Sequence, residues 1–440
     1  MKYNEEWASA KCDKYDYLIA AFSGMSAGII DIFFVGAPGN SALCNFTDDQ
    51  ADKLVMKFSK SVGWSPKPGQ ENNVASAIGH LERKYPVNYD QAHRVAAGGA
   101  LDMASKNHHF KSLSHSPDLV GLFFSILDQF QEKSTFLSDG QLIRIDATSK
   151  SLRLDGSNLY SKIFCGFCNW IGHIMSDLAG SSGGRRYMKG RGSGVAIPFM
   201  PLFQMCEFGE LQVDKHRNTL ATVMTKVFQE GYDLRFGAAM AIPVILNELM
   251  IKVLWVIKNH FYQKKDWKNC IPSDKHADLR MMLLVGHGTL CMMDGADAVI
   301  RSGGNAVAFV LRLNLIGWAR LIILVFKELR IRYGNQVMEA FKYFLDEMWS
   351  ILNTSERKLL YEYYARMEAV DKELNIMLNE FIDMINEEYL LMHRELDDSI
   401  NEEIHYSERL YHSTKFAELC EVDDDAIIRN EEDLSNYFKN

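Results

Sequence analysis

Four stretches of the chain, 18–36, 236–257, 281–300 and 306–326, are apolar over about five helical turns each, yet each carries ionisable side chains. A run of that length can cross a bilayer. It equally suits a helix buried on all sides in a large bundle. The charges constrain both options, because an ionisable group inside an apolar helix has to be paired, neutralised or bound to a metal. Segment 18–36 holds one such group, Asp31. Its Ala20, Gly24 and Gly28 form a small-residue ridge on which a second helix can approach closely. Asp294 and Asp297 share a face of the third segment, and Arg312 in the fourth is placed to neutralise a carboxylate on a neighbour. The pattern predicts a mainly α protein: a multi-helix bundle with apolar central helices and a polar site or path inside it.

Composition helps to choose among bundles. With 47% hydrophobic residues and only 9 prolines in 440, the chain favours a large helical core over disorder or a β-sandwich. Mean hydropathy is −0.15, low for a polytopic membrane protein, so the expectation is a cytoplasmic protein, soluble or resting on the inner face of a membrane. The first 17 residues mix acids with bases and carry no secretory signal. Eight cysteines without framework spacing read as free thiols, and the Cys165/Cys168 pair, lacking a βαβ context, reads as helix packing. Charge is uneven: residues 335–440 hold 10 Lys+Arg against 26 Asp+Glu, and residues 1–334 hold 38 against 31. That split suggests a core domain over 1–334 and an acidic helical region over 335–440. The basic part suits an anionic membrane surface or a phosphorylated substrate, and no specific nucleic-acid motif is present.

Polar chemistry enters apolar sequence most clearly at 166–198, GFCNWIGHIMSDLAGSSGGRRYMKGRGSGVAIP. His173 and Asp177 are four residues apart, so a helix puts both on one face, where they can reach a common metal. The glycine-rich loop that follows carries Arg185, Arg186 and Arg191, whose guanidinium forks suit a substrate phosphate. Upstream, 104–129 gathers His108, His109, His115 and Asp118 within 11 residues, just before an apolar helix that starts at Ser116-Pro117-Asp118. Imidazole and carboxylate together suit a divalent metal such as zinc.

The remaining elements are simpler. Residues 47–63 read as an amphipathic helix capped by Thr47, and 72–84 as another. Residues 141–154 show two alternating runs about a polar turn, a β-hairpin inserted between helices. From Leu360 the apolar positions Tyr363, Met367, Val370, Leu374, Met377, Phe381 and Met384 follow in steps of three and four. Such a helix packs along one seam, in cis or in a homo-oligomer. Asn353 and Glu356 suit its start, and 402–440 is expected to fray.

Three stretches, Asp31 in GIIDIFF, His109 and His115 in NHHFKSLSHSP, and His173 and Asp177 in HIMSD followed by GSGVAIP, resemble the inner-membrane-associated metal-dependent hydrolases, a bacterial family with a small helical membrane domain. The order of the motifs is the same. The resemblance covers under half of the chain and leaves the hairpin, the region after about 200 and the acidic tail outside it. It implies that Asp31, His109, His115, His173 and Asp177 are metal ligands, their tips within roughly 8 Å of one point as a one- or two-metal site requires. The chemistry it implies is metal-dependent hydrolysis, and the basic loop suits a phosphoester, of a lipid or a nucleotide. Two other readings keep the same bundle: a non-enzymatic membrane effector of channel-like type, and a helical scaffold.

Overall fold

The structure, a computed structural model, describes residues 12–39, 41–85, 108–146, 154–180, 193–334 and 354–437. It is mainly α, with a long C-terminal helix and two small antiparallel two-stranded sheets. Helix α1 (Lys14–Ile30) starts at Asp13, whose carboxylate accepts from the backbone of Tyr15 and Asp16, and continues as a π-helical turn over Asp31–Val35. Helices α2 (Ala42–Ser61) and α3 (Val74–Lys84) form a pair. The α2 cap is Ser41, not Thr47. The Thr47 hydroxyl donates back to the Leu43 and Cys44 carbonyls inside the helix, an alternative open to any threonine one turn in.

A four-residue helix, α4 (His108–Lys111), and a 3₁₀ turn over Leu113–His115 lead into α5 (Leu119–Gln131), capped by Asp118. The hairpin follows at once, as β1 (Lys133–Ser138) and β2 (Gln141–Asp146) about Asp139 and Gly140. The hairpin therefore lies earlier than expected: 141–146 is its second strand, and 147–153 falls outside the described residues. Helix α6 (Leu159–Asp177) packs on α5 so closely that a Cβ on Gly166 would stand 2.7 Å from the Ile126 Cα. After a 3₁₀ turn over Met200–Met205 come the short strands β3 (Leu211–Val213) and β4 (His216–Asn218), then α7 (Leu220–Gln229) and α8 (Leu234–Ile257). Helices α9 (Ala277–Ser302), α10 (Ala306–Val310) and α11 (Leu315–Tyr333) complete this part. The expected fourth apolar helix is thus broken. Asn314 accepts from the Gly317 N–H and caps α11, which leaves Arg312 in the turn before it.

Helices α1, α8, α9 and α11 form one bundle. Its tightest contact is the predicted ridge: a Cβ on Gly24 would come within 2.3 Å of the Gly286 carbonyl oxygen, and one on Gly28 within 2.9 Å of the Met293 sulfur. The outward face is apolar. Leu18, Phe22, Met25, Ile29 and Phe33 line α1, and Ile245, Leu249, Val253 and Ile257 line α8, all exposed. Three helices, spanning Lys14–Val35, Leu234–Tyr262 and Ala277–Ser302, are long and apolar enough to cross a membrane. At most 39% of each apolar window is buried, whereas a closed soluble bundle would bury most of it. Membrane association is therefore the plausible setting of this part.

Helix α12 (Thr354–Ile400) carries the heptad seam and uses it in cis. Met377 packs with Leu113, Phe124, Leu127 and Leu137, and Met392 with Phe130 and Leu159. Beyond it, α13 (Tyr406–Leu419) folds back on α12, with His412 Nδ1 2.7 Å from Glu395, and α14 (Glu431–Tyr437) follows. The region expected to fray is helical over these spans. The Asn353 half of the expected cap lies outside the described residues.

Candidate metal centre

Three elements, α4, the 3₁₀ turn and α6, bring the imidazoles together. On α6, His173 and Asp177 share the face turned toward α4 and the 3₁₀ turn, and both are buried. The helix is held there by Trp170, whose indole N–H donates to the Ser116 carbonyl at 2.9 Å, and by Ser125, whose hydroxyl donates to the Gly166 carbonyl at 2.8 Å. Asp118 fixes the opposite wall. One of its oxygens caps α5 through the N–H groups of Val120 and Gly121, and the other accepts from the Ser116 hydroxyl and the Phe199 N–H, each at 2.7 Å. His115 directly precedes Ser116, so this capping residue sets its position.

The result is a closed cluster. Ring centroids are 3.6 Å apart for His108 and His109, 5.4 Å for His109 and His115, and 5.1 Å for His115 and His173. One ligand atom from each of His108, His109 and His115 lies within 4.8 Å of the other two. His109 Nε2 stands 3.3 Å from Asp177 Oδ2, and the Ser176 hydroxyl donates to that same oxygen at 3.1 Å. All four imidazoles are at most 6% exposed. His173 Nδ1 has no hydrogen-bond partner among the described residues. Buried ring nitrogens are normally satisfied, so this one points to a ligand.

The ionisation states suit a cation. Burial, with the neighbouring His109 acting in the same sense against the attraction of Asp177, brings His173 down to about 4. Burial and the three other imidazoles push His115 well below its ordinary value. Burial alone would raise Asp177, but the attraction of His109, His108 and His173 outweighs it and holds the carboxyl at about 2. At neutral pH His115 and His173 therefore offer neutral imidazole lone pairs beside an ionised carboxylate, protonation states that suit a metal.

The structure brings His109, His115, His173 and Asp177 close together, with His108 beside them. Asp31 stands apart from them. Its Oδ1 accepts from the Asn314 amide at 2.7 Å, and the Asn314 N–H donates to both oxygens of Asp294 at 3.1 Å. The Trp318 indole donates to Asp294 at 2.7 Å. Asp297 meets Arg312 at 3.2 Å and Arg301 at 2.7 Å. Asp31 thus belongs to a polar cluster of the bundle, where packing of α1 against α9 and α11 supplies it with partners of its own. Arg185, Arg186 and Arg191 lie outside the described residues. Lys111, a residue the sequence reading did not single out, is buried beside the site, with its ammonium 2.7 Å from the Ser138 hydroxyl.

Comparison of the chain with family models, with characterised proteins and with solved structures returns no match.

Proposed function

We propose that this chain is a metal-dependent hydrolase anchored at a membrane by its apolar bundle. The observation that carries the reading is the meeting of four buried imidazoles with an ionised carboxylate, where His173 Nδ1 lacks a hydrogen-bond partner among the described residues. Nitrogen and oxygen donors of this kind fit zinc or a similar divalent ion. Such an ion, when bound, supplies Lewis-acid polarisation of the scissile bond and makes water a competent nucleophile near neutral pH.

The protein's own groups set the rest. Asp177 supplies negative charge where Arg or Lys partners are absent among the described residues, and α6 holds it and His173 in one geometry. Five candidate side chains exceed the three protein ligands of an open zinc site. The surplus leaves an imidazole to accept or return the proton that hydrolysis moves. Phosphoesters are the substrate class we infer, from the basic loop at 185–191.

Metal analysis of the purified protein tests this. We expect about one to two equivalents of divalent metal per chain. His173→Ala should weaken binding at least about 100-fold, the upper end of what a supporting residue alone costs. Protein that stays metal-free after incubation with zinc, manganese or magnesium would sink the reading. One observation favours a channel-like role instead. Ser23 Oγ and the Asn247 amide, both fully buried in the bundle, have no hydrogen-bond partner among the described residues. Leakage from liposomes carrying the chain, absent from empty ones, would promote that role.

A further inference from the structure

The wall behind the histidines is also the wall of an apolar groove. Phe110, next to His109, stacks on Phe228 with ring centroids 5.2 Å apart. It shares one core cluster with Ile197 and Met200, against which Phe203, Leu315 and Ile316 pack. On the other side of that cluster the 197–206 segment and the first turns of α11 enclose a cavity of about 490 Å³. Its lining is apolar, including Phe199, Leu202, Phe203, Ile316, Ala319 and Ile322. The volume falls in the range of small-molecule sites.

Two observations say what covers it. The groove's lining runs along α11 to Ile322, which is exposed together with Ile323 and Phe326 beyond it, on a helix that packs within the bundle of span-length helices. An apolar channel opening onto such a face meets hydrocarbon rather than water. At its other end the groove is tied to the centre. Phe199 donates its N–H to Asp118, the residue that also holds Ser116 beside His115. The Gly194 backbone, three residues before Ile197, lies so near the end of α6 that a Cβ there would be 2.8 Å from the Asp177 carbonyl oxygen.

We propose that this groove holds the hydrocarbon tail of a membrane lipid whose phosphoester head is the substrate of the metal centre, an inference that rests on the hydrolase reading above. Water supplies the incoming oxygen. It adds to phosphorus, the P–O bond to the lipid breaks, and the departing lipid oxygen takes a proton, giving a lipid alcohol and inorganic phosphate.

The test uses the full chain with zinc, dihexadecanoyl phosphatidate as lipid probe and glycerol phosphate as the same head without tails. Ala319→Trp fills the groove from an exposed position and should fold normally; Ile316→Trp, from one turn earlier, is the second variant. Lipid retention is read by native mass spectrometry, separately from phosphate release. We expect both variants to lose retention and phosphatidate hydrolysis at least tenfold, with glycerol phosphate hydrolysis unchanged. Retention equal to that of the unaltered chain in both variants overturns the groove. Hydrolysis of both compounds falling together overturns it as well, since the substitutions would then act on the centre. Retention lost in the variants while the unaltered chain hydrolyses neither compound keeps the groove as a lipid site and removes the hydrolase reading. A dimer that the variants dissociate would give the groove to a second copy of the chain and overturn the proposal.

Discussion

The bundle and the histidine centre both bury carboxylates, and they treat them differently. In the bundle, fixed cations answer them. Asp16 meets Lys258 at 2.8 Å, Glu328 meets Arg280 at 2.9 Å, Glu248 binds Lys252 at 2.8 Å and Arg320, and Asp297 has Arg301 and Arg312. Asp31 and Asp294 have N–H donors from Asn314 and Trp318. At the centre, Asp177 meets a hydroxyl and imidazoles, whose charge depends on pH. A buried carboxylate with a permanent cation is complete as it stands. Asp177 has no permanent cation of this kind among the described residues, and an imidazole answers it only when protonated.

The largest effect should come from breaking a complete pair. Glu328→Ala leaves Arg280 buried beside an apolar neighbour, at a cost of about 3–5 kcal/mol, whereas Arg280→Met with Glu328→Leu removes both charges and should be nearly neutral. Thermal melting of the two variants checks this. Equal losses in both would mean that the side-chain volumes, not the charges, hold the ends of α9 and α11 together.

The centre, in contrast, should make the metal-free protein sensitive to acid. His173 titrates at about 4 in the fold against 6.5 when free, so between those values the unfolded chain binds the extra proton. Stability therefore rises with pH across that window and falls on acidification from 7 toward 4. At about 1.4 kcal/mol per unit this is on the order of 3 kcal/mol. Asp177 acts lower down: its contribution is present above 3.8 and is lost as pH falls through about 2. Replacing His173 by Asn should reduce the slope of the upper window, to which His115 also contributes. A melting temperature that is the same at pH 7 and pH 4.5 in the unaltered apo-protein would contradict the burial of a neutral imidazole.

Much of this contrast was readable in the sequence, because it depends on local spacing. The i, i+4 placement of His173 and Asp177 fixes one face, and the Ala20-Gly24-Gly28 ridge fixes where α1 meets α9. What was hidden depended on packing or on unusual backbone. The Asn314 partner of Asp31 lies 283 positions away, beyond any local pattern. The end of α5 is Glu132, left-handed at φ 49°, a position where glycine or asparagine would have announced the stop. Without that signal the Asp139-Gly140 turn was passed over, although Asp-Gly between apolar runs is a strong hairpin mark. His108 belongs to the histidine cluster that the sequence shows, but the resemblance carried only His109 and His115; in a helix of only four residues leading to a 3₁₀ turn, its ring lies 3.6 Å from that of His109.

The smallest effect should fall on Cys165 and Cys168, which belong to neither class of buried charge. They lie on α6, three residues apart, half-buried and free. Burial raises both thiols, and for Cys165 the neighbouring Cys168 adds to the rise. A raised thiol holds little thiolate at neutral pH and attacks slowly, unlike the lowered first thiol of a redox pair. These cysteines therefore pack α6 against its neighbours without contributing chemistry. Replacing either by Ser should change stability by about 1 kcal/mol or less. Metal content should stay the same, because His173 and Asp177 lie more than a helical turn further along. Alkylation by iodoacetamide should run slower than for free glutathione. Rapid alkylation, or loss of metal in the double Ser variant, would place the pair in the centre after all and extend its ligand set along α6.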